Sequence, residues 1–114
     1  MRKGIIDLGT NTFNLLIANY SSDSITVVYS TKRGVALGMG GITQGIITKE
    51  AMNRALSALV EFEEIIQKYE VLDVKLIGTA AVREAKNSDA FLSLVKKEIK
   101  RDIQIIDGKQ EAEY

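Results

Sequence analysis

The start of the chain alternates apolar and polar residues, which predicts three β-strands. They are expected at about 3–8, 12–20 and 24–31. In the middle segment, alternate apolar residues such as Phe13 and Leu15 share one face. A period of two is typical of a strand with one buried face. Only short polar turns separate the three segments, so we expect an antiparallel meander.

Later apolar residues recur every three or four positions, which predicts two helices. The first is expected to run from an N-cap at Thr48 to about residue 69. The second is expected over about 89–100, with a cap provided by 87–89. Their predicted buried faces are Met52, Ala55, Leu56, Leu59, Phe62 and Ile66 in the first helix, and Phe91, Leu92, Val95 and Ile99 in the second.

The remaining segments complete a βββαβαβ order. Strands are expected at about 74–77 and 103–106, because both segments are short, apolar and β-branched. A short helical segment is expected at 79–84, and the start of a last helix at 109–114. The glycine-rich stretch 34–47 predicts a long loop.

This order of elements predicts an α/β fold. A three-stranded antiparallel meander followed by right-handed βαβ crossovers gives one mixed sheet. The layout resembles the ribonuclease-H-like lobe of the actin-like ATPase superfamily. Such a fold serves many functions, so the residues of the site must decide between them.

Composition narrows the possible chemistry. The 114 residues predict one domain, and 15 basic residues balance 15 acidic ones, which argues against a nucleic-acid or membrane partner. Without histidine or cysteine, the chain has no Ser-His triad and no thiolate or imidazole metal site. Catalysis would have to use carboxylates, hydroxyls, lysine or arginine. No segment approaches transmembrane length, and the lack of cysteine agrees with a cytoplasmic location.

The polar turn between the first two predicted strands carries the candidate chemistry. Gly9 lets a ligand approach the backbone closely, because glycine has no Cβ. Successive N–H groups at Thr10, Asn11 and Thr12 could form a nest for an anion. Asp7 adds a carboxylate where a hard cation such as Mg²⁺ could bind. An ordinary hairpin turn built from Asp and Asn is the alternative.

Four segments in order resemble the exopolyphosphatase and guanosine pentaphosphate phosphatase family: 7–13 (DLGTNTF), 33–38 (RGVALG), 79–87 (TAAVREAKN) and 107–112 (DGKQEA). The first segment is shared with heat-shock ATPases, whereas the four together are specific. The family has two lobes around a cleft. The resemblance implies that 1–114 is the first part of the N-terminal lobe, without the second lobe.

A lobe without its partner should leave apolar cleft residues uncovered. The expected uncovered residues are Leu37, Ile42, Ile46 and Ile47.

The resemblance implies a metal-dependent phosphatase that hydrolyses terminal phosphoanhydride bonds of inorganic polyphosphate or guanosine pentaphosphate. Glu111 would be the base that activates water. Asp7 would hold Mg²⁺ or another divalent cation, and Arg83 would bind phosphate together with Gly9 and the residues up to Thr12. The resemblance also implies a homodimer for the full-length protein.

Other functions remain open on these residues. A non-catalytic nucleotide- or polyphosphate-binding module is one, because Asn14 stands where family members often carry a basic residue. A kinase or chaperone-type ATPase of the same superfamily would share the first motif but would not require Glu111. A nuclease would need acids at several strand ends to hold two metals. The sequence disfavours it, because Asp73 lies at the opposite end of its strand.

Overall fold

Within residues 1–37, 46–78, 82 and 85–105, which the computed structural model describes, the chain forms five strands and two helices. In chain order these are β1 (Arg2–Leu8), β2 (Thr12–Tyr20), β3 (Ile25–Gly34), α1 (Lys49–Lys68), β4 (Asp73–Gly78), α2 (Ser88–Ile99) and β5 (Ile103–Ile105). The strands form one sheet in the order β3-β2-β1-β4-β5, which places β1 at the centre.

β1 joins an antiparallel half of the sheet to a parallel half. It pairs antiparallel with β2, which pairs antiparallel with β3. On its other side it pairs parallel with β4, which pairs parallel with β5. The predicted α/β sheet, a meander followed by βαβ crossovers, is thereby confirmed. The helical segments predicted at 79–84 and 109–114 lie outside the described residues, apart from Val82 in the first of them.

The third strand is longer than its apolar pattern predicts. Alternation ends at about residue 31, whereas β3 continues to Gly34. Lys32 and Arg33 extend the strand because they continue its ladder along β2. A cross-strand ladder needs no apolar side chains, so a polar strand end leaves no signal in the alternation.

The core lies between one face of the sheet and the two helices, which pack against each other. The predicted alternation in β2 is confirmed, since Phe13, Leu15 and Ile17 are buried. The buried residues of the helices are Ala51, Ala55, Ala58, Leu59, Phe62 and Ile66 in α1, and Phe91 and Val95 in α2. The other predicted positions, Met52, Leu56, Leu92 and Ile99, are half-buried at the margin of this core. Each large apolar side chain buried here contributes about 1.5–3 kcal/mol.

Side chains complete both ends of α1. The Thr48 hydroxyl accepts the Ala51 N–H at 3.1 Å, which confirms the predicted N-cap. At the other end, Arg2 Nη1 donates to the Tyr69 carbonyl at 2.7 Å. A cation at the C-terminal end of a helix is favourable because it opposes the negative end of the helix dipole. No helix in the described part of the chain is both long and apolar enough to cross a membrane.

Asn87 occupies the N-cap position of α2 but does not cap it through its side chain. Its Nδ2 donates to the Ile47 carbonyl at 2.9 Å, and its Oδ1 accepts the Ile47 N–H at 2.8 Å. The side chain therefore clamps the segment that leads into α1 against the start of α2. The predicted cap is correct in position and wrong in its contact.

The predicted uncovered surface is also wrong for the residues that the structure describes. Leu37 and Ile47 are 0% and 3% exposed and belong to the core. Ile46 is half-buried, and Ile42 lies outside the described residues. The clamp by Asn87 explains the burial of Ile47, because it ties the backbone of that residue to the protein.

Asn87→Ala should lower the free energy of unfolding by about 1–3 kcal/mol, because two part-buried backbone groups of Ile47 lose their partner. Urea denaturation of the intact protein measures this. Asn53→Ala, at an exposed position of α1, is the matched control and should stay within about 0.5 kcal/mol. Equal stability of the two variants would show that the clamp contributes nothing.

Candidate functional site

The turn between β1 and β2 is closed by its own backbone. β1 ends at Leu8 and β2 begins at Thr12, so residues 9–11 reverse the chain. The Gly9 N–H donates to the Thr12 carbonyl at 3.2 Å. A Cβ on residue 9 would lie 2.9 Å from that carbonyl oxygen, closer than real Cβ contacts come. The turn therefore needs glycine at this position because the backbone approaches it so closely.

A second segment of the chain holds the turn from one side. It consists of Val35, Ala36 and Leu37, which directly follow β3, and we call it the strap. The Val35 and Ala36 N–H groups both donate to the Asn11 carbonyl, at 2.8 and 2.9 Å. The Leu37 N–H donates to the Thr10 carbonyl at 2.8 Å. All three amides of the strap are thus used to hold carbonyls of the turn.

These contacts fix the direction of the amides in the turn. The described peptide bonds are all trans, and in a planar trans peptide the C=O and N–H bonds point in opposite directions. Because the carbonyls of Thr10 and Asn11 face the strap, the N–H groups of Asn11 and Thr12 face away from it. Neighbouring N–H groups aimed to one side are the geometry of an anion-binding nest.

Asp7 lies two residues before the turn, on the central strand. Its register partners are Asn14 on β2 and Ile77 on β4. Asp7 and Asn14 are both exposed, and residues directly opposite in an antiparallel pair share a face of the sheet. No group of three or more acidic residues that could hold a metal occurs among the described residues. A cation at Asp7 could take further oxygen ligands from a bound substrate or from water.

The carboxyl ends of the parallel strands meet beside this turn. Leu8 of β1 lies next to Gly78 of β4, which lies next to Ile105 of β5. Open α/β sheets bind their ligands at this end of the strands. Arg83 follows β4 along the chain and Glu111 follows β5, but both lie outside the described residues. Their approach to the turn stays a prediction.

A groove of about 370 Å³ runs between the end of β3 and α1. Two arginines line it, and both are engaged by the protein. Arg33 Nε donates to the Glu61 carboxylate at 2.7 Å. Arg54 Nε and Nη2 donate to the carbonyls of Val35 and Ala36, at 2.7 and 3.0 Å. Both arginines of the groove thus hold neighbouring segments of the protein together. The turn is therefore the better candidate for an anion site.

A model of the Ppx/GppA phosphatase family matches residues 16–114. The chain belongs to this family. Membership confirms the family resemblance drawn from the four sequence segments. The matched part begins at Leu16, so it includes three of those segments and starts after the turn.

Individual relatives of the family extend the likeness across the turn. The chain is 37% identical over 107 residues to a guanosine-5'-triphosphate,3'-diphosphate pyrophosphatase of Photobacterium profundum, covering 94% of this chain and 22% of that protein. It is 35% identical over 107 residues to a putative exopolyphosphatase of Haemophilus influenzae, covering 94% of this chain and 33% of that protein. The chain thus spans only a fifth to a third of these curated relatives.

A solved member of the family shares the fold closely. The crystal structure of an exopolyphosphatase from Cytophaga hutchinsonii superposes with a TM-score of 0.94 at 45% identity. The likeness covers 99% of this chain and 36% of that one. It confirms the fold predicted for the chain, an actin-like, ribonuclease-H-like lobe.

The strap is the part of the site that sequence reasoning missed. Segment 33–38 resembles a motif of the family, but the strap residues Val35, Ala36 and Leu37 have apolar side chains that cannot bind phosphate. Their contribution is made by backbone N–H groups, which every residue other than proline possesses. Contacts of this kind cannot be recognised from residue types alone.

Proposed function

We propose that this chain forms the first lobe of a phosphatase that hydrolyses terminal phosphoanhydride bonds of inorganic polyphosphate, guanosine pentaphosphate or both. Membership of the Ppx/GppA family supports the reaction class, and the names of the relatives from Haemophilus and Photobacterium support the two substrates. The second lobe would be supplied by the rest of the full-length protein. A homodimer in the cytoplasm remains our expectation for that protein.

The observation that carries this proposal is the direction of the amides in the turn. The N–H groups of Asn11 and Thr12 point away from the strap, while the carbonyls behind them are held by the strap. Phosphate oxygens accept such hydrogen bonds, and a glycine beside them lets the ligand come close. The exposed hydroxyl of Thr10 adds a side-chain donor at the same place. We therefore assign the terminal phosphates of the substrate to the turn at 9–12.

Asp7 is the residue that would hold Mg²⁺ or another divalent cation in this proposal. It is an exposed carboxylate at the end of β1, next to the assigned phosphate position. Mg²⁺ is usually held by one or two carboxylates together with substrate phosphates and several waters. The Asp7 carboxylate beside the turn fits that donor set. The cation would supply neutralisation of the phosphate charge when bound.

The chemical step would depend on residues outside the described part of the chain. We assign Glu111 as the base that takes a proton from the attacking water, and Arg83 as a further contact to phosphate. The support is the match of both residues to family motifs and their positions in the segments that follow the parallel strands β4 and β5. Phosphoryl transfer needs alignment and charge neutralisation more than covalent help, and this set of residues supplies both.

A second candidate is a module that binds nucleotides or polyphosphate without hydrolysing them. Asn14 favours it, because this exposed residue is the register partner of Asp7 and takes the place of a basic residue common in the family. Kinase or chaperone-type ATPase activity has no comparable observation in its favour. The phosphatase and the non-catalytic module would both bind the ligand, but only the phosphatase would turn it over. Ligand binding and turnover must therefore both be measured.

The proposal is tested with the full-length protein by following phosphate release from long-chain polyphosphate, guanosine pentaphosphate and ATP. We expect release from either of the first two to exceed release from ATP, and to stop when EDTA removes divalent cations. Binding of polyphosphate without release of phosphate would favour the non-catalytic candidate. Hydrolysis of ATP alone would contradict the proposal.

Asp7→Asn should raise the Mg²⁺ concentration required for half-maximal rate and also slow the reaction, because the amide loses the charge that attracts the cation. Phosphate release measured across a Mg²⁺ titration reports both effects. Asp23→Asn is the matched control, since Asp23 is an exposed acid in the turn at the opposite end of β2. An identical Mg²⁺ dependence in all three proteins would remove Asp7 from the proposed metal site.

A further inference from the structure

We infer that Arg54 is a positioning residue for the phosphate-binding turn, acting through the strap. The inference rests on the proposed function, because it assumes that the N–H groups of the turn bind phosphate. Arg54 would strengthen these N–H groups as hydrogen-bond donors. Arg54 lies on α1 and is half-buried. In the described part of the chain its side chain hydrogen-bonds to the strap and not to the turn, so its effect on a ligand would be indirect.

The guanidinium group binds two consecutive carbonyls of the strap. Nε donates to the Val35 carbonyl at 2.7 Å, and Nη2 donates to the Ala36 carbonyl at 3.0 Å. Arginine presents its N–H donors in a rigid planar fork, so these two bonds set both the position and the tilt of the strap. Hydrogen bonds from a charged donor are about twice as strong as neutral ones.

Each of these bonds begins a chain of peptide groups that ends at the nest. The Val35 carbonyl belongs to the peptide whose N–H is that of Ala36, which donates to the Asn11 carbonyl at 2.9 Å. The peptide of the Asn11 carbonyl carries the Thr12 N–H. One guanidinium N–H is thus connected to the Thr12 N–H through two peptide groups.

The second bond follows a parallel route. The Ala36 carbonyl belongs to the peptide whose N–H is that of Leu37, which donates to the Thr10 carbonyl at 2.8 Å. The peptide of the Thr10 carbonyl carries the Asn11 N–H. Chains of hydrogen bonds polarise one another in the same direction. A positive charge at Arg54 therefore makes the N–H groups of Asn11 and Thr12 stronger donors to an anion.

The backbone of the strap also requires an external support. Ala36 has a φ of 49°, in the left-handed region that is unfavourable for residues with a Cβ. Its carbonyl is held by Arg54 and its N–H by Asn11, so contacts on both sides maintain this conformation. Loss of Arg54 should let Ala36 relax, and the carbonyls of the turn would lose their fixed partners.

The experiment compares the full-length protein with Arg54→Gln and Arg54→Lys. Calorimetric titration with inorganic tripolyphosphate gives the Kd, and hydrogen exchange followed by mass spectrometry reports the amides of the strap. Arg54→Gln keeps a hydrogen-bond donor but loses the charge and the fork, so the Kd should rise roughly 10- to 100-fold and strap exchange should accelerate. Arg54→Lys keeps the charge and N–H donors but loses the planar fork, so its Kd and its strap exchange rate should fall between those of the parent protein and Arg54→Gln.

Arg101→Gln is the control for a general loss of stability. Arg101 is a half-buried arginine paired with Glu63 of α1, and within residues 1–37, 46–78, 82 and 85–105 it makes no hydrogen bond to the strap or the turn. It therefore matches Arg54 in residue type, burial and the loss of a charged hydrogen-bond donor, without a bond to the strap. We expect Arg101→Gln to lower the melting temperature and to leave the Kd for tripolyphosphate unchanged.

A Kd and a strap exchange rate in Arg54→Gln equal to those of the parent protein would overturn the inference. If that variant does not fold, Arg54→Lys decides, since parental values in it would overturn the inference in the same way. A parent protein that does not bind tripolyphosphate would contradict the proposed function instead. The exchange rates of the strap would then still report whether Arg54 holds it.

Discussion

Replacing Glu111 with glutamine should lower the turnover of polyphosphate or guanosine pentaphosphate by about 10²–10⁴-fold, which is the usual contribution of a general base. Glutamine keeps the shape of the side chain and removes the charge that would accept a proton from water. The loss should appear in kcat with KM almost unchanged, because a base acts in the chemical step. Steady-state phosphate release by the full-length protein measures both constants.

Glu113→Gln is the internal control for this change. It removes the same charge from a residue two positions further along the same predicted helix, so a general effect of net charge would appear in both variants. We expect Glu113→Gln to be nearly silent. If Glu111→Gln keeps its turnover within a few fold while Glu113→Gln loses it, the base has been assigned to the wrong glutamate.

The elements predicted best are those with a regular buried face. The alternation in β2 and the helical spacing in α1 each place large apolar residues on one side, and Phe13 and Phe62 are fully buried as expected. Local chemistry also predicts where α1 begins, because Thr48 can cap the helix without help from the rest of the chain. Signals of this kind are local, because all the residues that produce them lie close together in the sequence.

Contacts between distant segments leave no such pattern. Asn87 looks like a helix cap in the sequence, yet its amide binds the backbone of Ile47, which is 40 residues away. That contact helps to bury Ile47, so the apolar residue predicted to face an open cleft lies in the core instead. The polar end of β3 is a similar case, since pairing with β2 forms it without an apolar signal.

In the candidate site, too, some residues can be predicted from the sequence and others cannot. Asp7, Gly9 and Asn11 can be selected from the sequence because their residue types have recognised uses in turns and ion sites. The role of the strap depends on where backbone N–H groups point, which residue types do not encode. The role of Arg54 is equally hard to predict from the sequence, because an arginine on an amphipathic helix ordinarily extends into solvent.

Gly9→Ala should weaken substrate binding and turnover together, with kcat/KM falling by about 10²-fold, the loss that a small misplacement of binding groups can cause. The added Cβ would lie 2.9 Å from the Thr12 carbonyl oxygen, so the turn must shift to admit it. That carbonyl accepts the Gly9 N–H at 3.2 Å, and a shift would weaken this bond as well. The affinity for inorganic tripolyphosphate, measured by calorimetry, should fall together with kcat/KM.

Gly34→Ala provides a control within reach of the same turn. Gly34 is the register partner of Thr12, and an added Cβ there meets nothing within 4 Å. Alanine in a compatible conformation typically stabilises a protein by about 0.4–1 kcal/mol, so this variant should bind tripolyphosphate normally and melt no lower than the parent. A displaced turn that held the phosphates would bind them less tightly. Normal binding of tripolyphosphate by Gly9→Ala would therefore contradict the phosphate position assigned to the turn. Equal losses in both variants would show instead that any change near Thr12 disturbs the site, whatever its clash.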